Sequence, residues 1–394
     1  MSLDLTKVVA QIWGMVAGLK AGGEERRERL RYALDVLRDK SIDLDRLRQR
    51  IEDSQRKTTW LVAGLVDGLD RRYKLPPLPK EFTVIATDGS HIDVDRHRSA
   101  RCYLINIGAA VLDYGANPSA TLDSLPRLYF GDEDLVIAPE KGRGQLVEGM
   151  LLGIKRAVEE IKHLATLAKE LPPNSPTLAL IDGSLILWNL EAYPEFVTEA
   201  LLDKGFILCL EEIRKLKIAL ASYISFPRST DVVNALRVAI CPYEAPDCDR
   251  YCPNKAKDCD KVAGVQDREL FIELLAQGER SALFISQSSI VQKRYGEHRV
   301  YFFYLRVGDE IARVEIPQWV AKDEGLLNLT HGLILDQCRR GLGYPVALSE
   351  AHEKAVVTTA DREEFWQVVE SLMVEEKMPT PTSAKSFSKR TRWV

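Results

Sequence analysis

The chain lacks any run of apolar residues approaching the length of a membrane span, which takes about 20 consecutive, mostly apolar positions. Its start, MSLDLTKVVAQIWGMVAGL, lacks the basic region and small-residue cleavage site of an export signal. No glycine-rich phosphate-binding word of the P-loop kind occurs, which argues against a nucleotide-driven motor. Positive charge is not in surplus either. The formal net charge is −4, so any contact with nucleic acid has to come from local basic patches rather than from bulk attraction. Cysteine is sparse, at seven residues in 394, and an odd number without an export signal does not make a disulfide scaffold. What remains is a cytoplasmic globular protein with no membrane partner, long enough for one large domain or a few small ones.

Residues 1–80 read as a helical arm and connector. Leu30, Ala33, Leu34 and Leu37 recur at helical spacing, then Leu44, Leu47 and Ile51, then Leu61, Leu65, Val66 and Leu69. Pro76, Pro77 and Pro79 close the arm, because proline cannot continue a helix. Residues 81–378 read as one α/β domain. The runs FTVIATD, ARCYLINIGAAVLDYG and PRLYFGDEDLVI suggest an antiparallel meander, and a long helical pattern from about Arg143 to Lys169 precedes the strand TLALI. Further on, HRVYFFYLRVGDEIARVEIP reads as a hairpin turning at Gly308-Asp309. Residues 379–394 form a polar, basic tail without apolar periodicity.

Two near-copies stand out against this background, TVIATDGSHI (83–92) and LALIDGSLIL (178–187). Asp-Gly between apolar runs is a hairpin signal, because glycine accepts positive φ and aspartate bonds its own backbone. The order of elements points elsewhere. Strands, an acid-bearing helix and then a strand ending in a second aspartate is the pattern of an RNase H-like core. In such a core, carboxylates converge to hold Mg²⁺ or Mn²⁺, and two ions can activate a water and stabilise a leaving phosphodiester oxygen.

The other concentration of chemistry is CPYEAPDCDRYCPNKAKDC, with Cys241, Cys248, Cys252 and Cys259 within nineteen residues. Four clustered thiols in a reducing compartment suggest an insertion closed by Zn²⁺ or a [4Fe–4S] cluster. Cys102, Cys209 and Cys338 stand apart and read as small core hydrophobes.

Five ordered words resemble the NurA domain nucleases, over about Phe82 to Val374: ATDGSHI, LIDGSLI, SYISFPRSTDVV, GERSALF and GYPVALSEAHEKAVV. The resemblance implies an RNase H-like fold and Mn²⁺-dependent exo- and endonuclease activity on single- and double-stranded DNA. It also implies a homodimer working with a hexameric HerA-type ATPase in double-strand break end resection. Asp88 and Asp182 match as metal ligands and His352 as ligand or catalytic histidine, an imidazole that suits Mn²⁺ better than Mg²⁺. Tyr344 either contacts substrate or packs beside Pro345. The helix between the aspartates offers Glu148, Glu159 and Glu160. Its start should lie near Asp182, and that favours Glu148 in GQLVEGMLLG, leaving the other two on a solvated face. Arg228, Arg280 and Lys293 are candidates for phosphate contacts. The alternative to a nuclease is a catalytically inactive DNA-binding scaffold or translocase partner that keeps the fold without the chemistry.

Overall fold

The computed structural model describes residues 4–98, 100–172, 175–253 and 257–379; the basic tail from 380 onward lies outside them. Along the chain, the longer helices are α1 (Leu5–Ala21), α2 (Gly23–Arg38), α3 (Leu44–Asp53), α4 (Met150–Glu170), α5 (Asp231–Ala239), α6 (Asp267–Leu274), α7 (Glu324–Arg340), α8 (Val346–Ala355) and α9 (Thr359–Glu375). The longer strands are β1 (Phe82–Ile92), β2 (Tyr103–Tyr114), β3 (Ser119–Tyr129), β4 (Thr177–Asp182), β5 (Ala219–Ile224), β6 (Val300–Val307) and β7 (Glu310–Pro317). No helix among the described residues is long and apolar enough to cross a membrane. The chain divides into two compact units.

One unit holds Pro76–Tyr223, Lys293–His298 and the chain from Glu315 on. Its sheet runs β3-β2-β1-β4-β5. The first three strands are antiparallel, and β4 and β5 run parallel to β1. β1 and β4 are almost wholly buried, as expected of strands covered on both faces. Helix α4 packs on one side of β1 and α8 on the other. The meander is therefore as the apolar runs predict, although β3 starts earlier than expected, at Ser119, and is exposed along nearly all its length. Its Pro126 sits on this edge strand, the place where a missing N–H is tolerated.

The other unit holds the chain up to Leu75, Ile224–Gln292 and Arg299–Val314. The β6–β7 hairpin turns at Gly308-Asp309 as predicted. Short strands at Phe284–Ile285 and Gly64–Leu65 extend the sheet beyond β6. The second and third N-terminal helices, α2 and α3, pack into this unit. Ala33, Leu34, Leu37, Leu47 and Ile51 are buried in a core shared with Val232, Leu236 and Phe271. The third predicted helix does not form. Val62, Ala63, Leu65 and Leu69 are buried, but their segment is irregular apart from the strand at Gly64–Leu65, whose pairing with Phe284–Ile285 outcompetes helical periodicity.

Candidate active site

Both Asp-Gly-Ser words lie in or beside strands, and the first makes no turn. Asp88, Gly89 and Ser90 continue β1 opposite Gly108, Ile107 and Asn106 of β2 without interruption. Thr87 pairs in parallel with Ile181, so the next residues, Asp88 and Asp182, leave neighbouring strands together. Alternation along a strand puts both on the α8 side of the sheet.

Helix α8 is pinned to that side by its C-terminal carbonyls, which have no partners within the helix. The Asn106 side-chain amide donates to Lys354 O and Ala355 O at 3.0 and 2.9 Å, and the Ser90 hydroxyl donates to Ala355 O. Gly108 permits the close approach, since a Cβ there would lie 2.0 Å from Ala351 O. One turn back from Ala355, His352 Nδ1 sits 2.7 Å from Asp88 Oδ2. The imidazole is 60% exposed and the aspartate side chain 15%, so the histidine forms the solvent-facing end of the pair. Tyr344, just before α8, brings its hydroxyl beside the Asp182 carboxylate and meets Tyr223 edge-on, with 5.5 Å between ring centroids. Its phenol is held well above the usual range, first by burial and then by the Asp182 charge. Asp182 is open at its strand end, yet the surrounding protein raises its carboxyl pKa. The Tyr344 hydroxyl opposes that shift and the Asp88 charge adds to it.

Glu148 is not on the helix where the sequence reading placed it. Glu148 lies outside α4, which begins at Met150, and it is exposed. The chain turns at Gly149, whose N–H donates to Asp93 at 2.9 Å, and this turn separates GQLVEG from the helix it resembles. Glu160, expected on a solvated face, is buried. It approaches β1 from the α4 side at the one position without a side chain, where a Cβ on Gly89 would stand 2.5 Å from Glu160 Oε1. Burial pushes its carboxyl up to about 8. Arg156, at 3.0 Å, opposes the shift, while the charges of Asp88 and Asp182 reinforce it. Glu159 instead pairs with Lys162 at 2.8 Å.

The basic candidates divide. Arg228 is exposed, and Lys293 is half exposed and 3.5 Å from Glu191. Arg280 is buried, stacked 3.9 Å over the Tyr73 ring and donating to Ser281 O, and is not the surface cation its charge suggests. Of the four clustered cysteines, Cys248 and Cys259 are buried and Cys241 and Cys252 partly so, and all are free thiols. Burial raises the thiols of Cys241 and Cys248, each further raised by Cys252 and Cys259. Among the described residues, no three His, Cys, Asp or Glu side chains are arranged to hold a metal ion, here or at the aspartates. The donor types nevertheless fit: carboxylates and imidazole for a hard or borderline cation, thiolates for zinc or iron.

A mixed sheet flanked by helices, with paired strand acids backed by an imidazole and a phenol, defines an α/β protein with an acidic candidate catalytic centre. A family model described as the NurA domain matches residues 82–357, spanning every side chain of that centre. The chain belongs to this family, a family of nucleases. No curated protein matches it.

Proposed function

We propose that the protein is a metal-dependent DNA nuclease with an RNase H-like core, working on DNA ends during double-strand break repair. The observation that carries this reading is the pairing of Asp88 and Asp182 on adjacent parallel strands, with His352 bonded to the first and the Tyr344 hydroxyl beside the second. The strand order β3-β2-β1-β4-β5, antiparallel then parallel, supports the RNase H-like assignment.

In this reading Asp88, Asp182 and His352 would hold Mn²⁺ or Mg²⁺, and Glu160 replaces Glu148 as the helix acid behind them, across Gly89. Such an ion, when bound, supplies Lewis-acid charge to offset the negative charge that develops on a phosphodiester. The chain's own side chains do the rest. His352 Nδ1 fixes the Asp88 carboxylate and links it to solvent for proton exchange. Tyr344, kept protonated by burial and the Asp182 charge, offers its hydroxyl beside Asp182. Incubating the purified protein with labelled single- and double-stranded DNA, with and without Mn²⁺, tests the reading. Cleavage should require the metal, and Glu160→Gln should slow it on the order of tenfold or more, with Glu148→Gln close to unchanged. Metal-independent cleavage, or no cleavage of any DNA, would sink the proposal. The reverse ranking of the two glutamates would restore Glu148.

The four cysteines would bind Zn²⁺ or a [4Fe–4S] cluster in a structural role, drawing the thiols together around the metal. Elemental analysis of freshly reduced protein should find about one zinc, or one iron–sulfur cluster, per chain, with metal removal lowering stability. Finding neither zinc nor iron would remove this site.

A chain of net charge −4 has no broad electrostatic hold on DNA. We therefore expect a homodimer working with a hexameric HerA-type ATPase that holds the substrate. Helix α1 buries none of its residues and exposes Val9, Ile12, Trp13 and Val16, an apolar surface suited to such assembly.

A further inference from the structure

The loop from Ser225 to Thr230 follows β5 and leads into α5. It contains a backbone anomaly the nuclease reading does not use. Phe226 has φ +47°, a conformation rare for a bulky side chain. The next residue is Pro227, which further restricts the backbone before it. Strain of this kind persists only where the surroundings impose it, and here they do. Ser229 O accepts from Asp267 N at 3.0 Å, and Ser229 Oγ lies 2.8 Å from the hydroxyl of buried Tyr304. Tyr304 in turn donates to buried Asp267 at 2.6 Å, and Asp267 accepts from Val232 N and Val233 N at the start of α5. The loop is thus anchored to the core at Ser229, while the strained residue holds its ring outward, 57% exposed.

The Arg268 guanidinium covers one side of that ring, with Cζ 3.5 Å from the centroid. Arg268 Nη1 is buried and, among the described residues, has no hydrogen-bond partner. Exposed Arg228 stands two residues beyond Phe226. An outward aromatic ring, backed by one cation and flanked by another, matches what unstacked bases on a phosphate chain require: a π-face for the base and positive charge for the backbone. Burying an apolar partner would not call for the flanking arginines.

We propose that Phe226 is a stacking platform for one base of single-stranded DNA, with Arg228 contacting the adjacent phosphate. The proposal rests on the nuclease reading but names a contact outside the acidic centre. In an Asp182→Asn background, which prevents cleavage, anisotropy should compare a labelled oligo-dT with an abasic strand of equal length. Phe226→Ala should weaken oligo-dT binding roughly tenfold, the loss of one stacked base, and leave abasic binding unchanged. Phe226→Tyr should bind as the parent does. Phe226→Trp should show fluorescence quenched by oligo-dT and not by the abasic strand. If Phe226→Ala fails to fold, Phe226→Gly removes ring and strain together and serves in its place.

Equal losses on both strands, or no loss on either, would overturn the platform. No loss on either would instead mark the ring as a contact for a protein partner. If the unsubstituted chain cuts DNA with Mn²⁺ while Phe226→Ala binds normally, this inference alone falls. If the unsubstituted chain neither binds nor cuts DNA, both fall.

Discussion

Replacing Asp88 or Asp182 with asparagine is expected to cut Mn²⁺-dependent DNA cleavage by about a thousandfold or more, equivalent to about 4 kcal/mol of transition-state stabilisation. Asparagine keeps the shape of each side chain, so the change tests charge. At Asp88 it still leaves an acceptor for His352 Nδ1, 2.7 Å away. At Asp182 it can still accept from Gly183 N, 3.0 Å away. Neither residue is in the apolar core, and removing one of two like charges relieves repulsion within the cluster. Both variants should therefore melt close to the parent, which separates lost chemistry from lost structure. Substantial cleavage by both variants would show that the strand acids do not form the catalytic centre.

Gly108→Ala is expected to harm the fold and the reaction together. The added Cβ would lie 2.0 Å from Ala351 O and 2.4 Å from Ala355 N. Both are backbone atoms of a helix held by hydrogen bonds from Asn106 and Ser90, so no side chain can swing aside. Overpacking of this kind costs about 1–3 kcal/mol, and an immovable neighbour puts the cost at the upper end. The melting temperature should fall by roughly 5–10 °C. Whatever α8 gives up in moving away, it carries His352 off Asp88, and a shift of about 1 Å at a catalytic group can cost about a hundredfold in rate. Cleavage by folded Gly108→Ala at the parent rate would show that α8 does not set the catalytic geometry.

The parts of this molecule that are legible in its sequence are those fixed by short-range patterning. Apolar runs mark β1, β2, β6 and β7, and the two repeated words mark the strands that carry Asp88 and Asp182. The misreadings have a shared cause. GQLVEGMLLG has helical spacing on both sides of Gly149, and only the turn there puts Glu148 outside the helix. Glu160 looks like one of many charged helix residues, and nothing local reveals that a glycine across the interface makes room for it. Arg280 looks like a surface cation until Tyr73, some two hundred positions earlier, is seen stacked beneath it. Residues 61–69 keep a helical rhythm but are claimed by sheet pairing with residues 284–285. Each error depends on a partner distant in the chain, which one-dimensional periodicity does not report.

The fit between Gly89 and Glu160 makes two positions seventy-one residues apart share one allotment of space. A Cβ at 89 would press on the carboxylate opposite it, 2.5 Å from Oε1, and on the Arg156 stem, 2.9 Å from Cγ, so the strand word constrains two side chains of the helix at once. A shorter acid at 160 would not by itself make room for a methyl group at 89, because Arg156 Cγ would still stand 2.9 Å from it. The glycine of the first Asp-Gly-Ser word is therefore an opening in the wall of the sheet, filled from behind by the Glu160 carboxylate and the Arg156 stem.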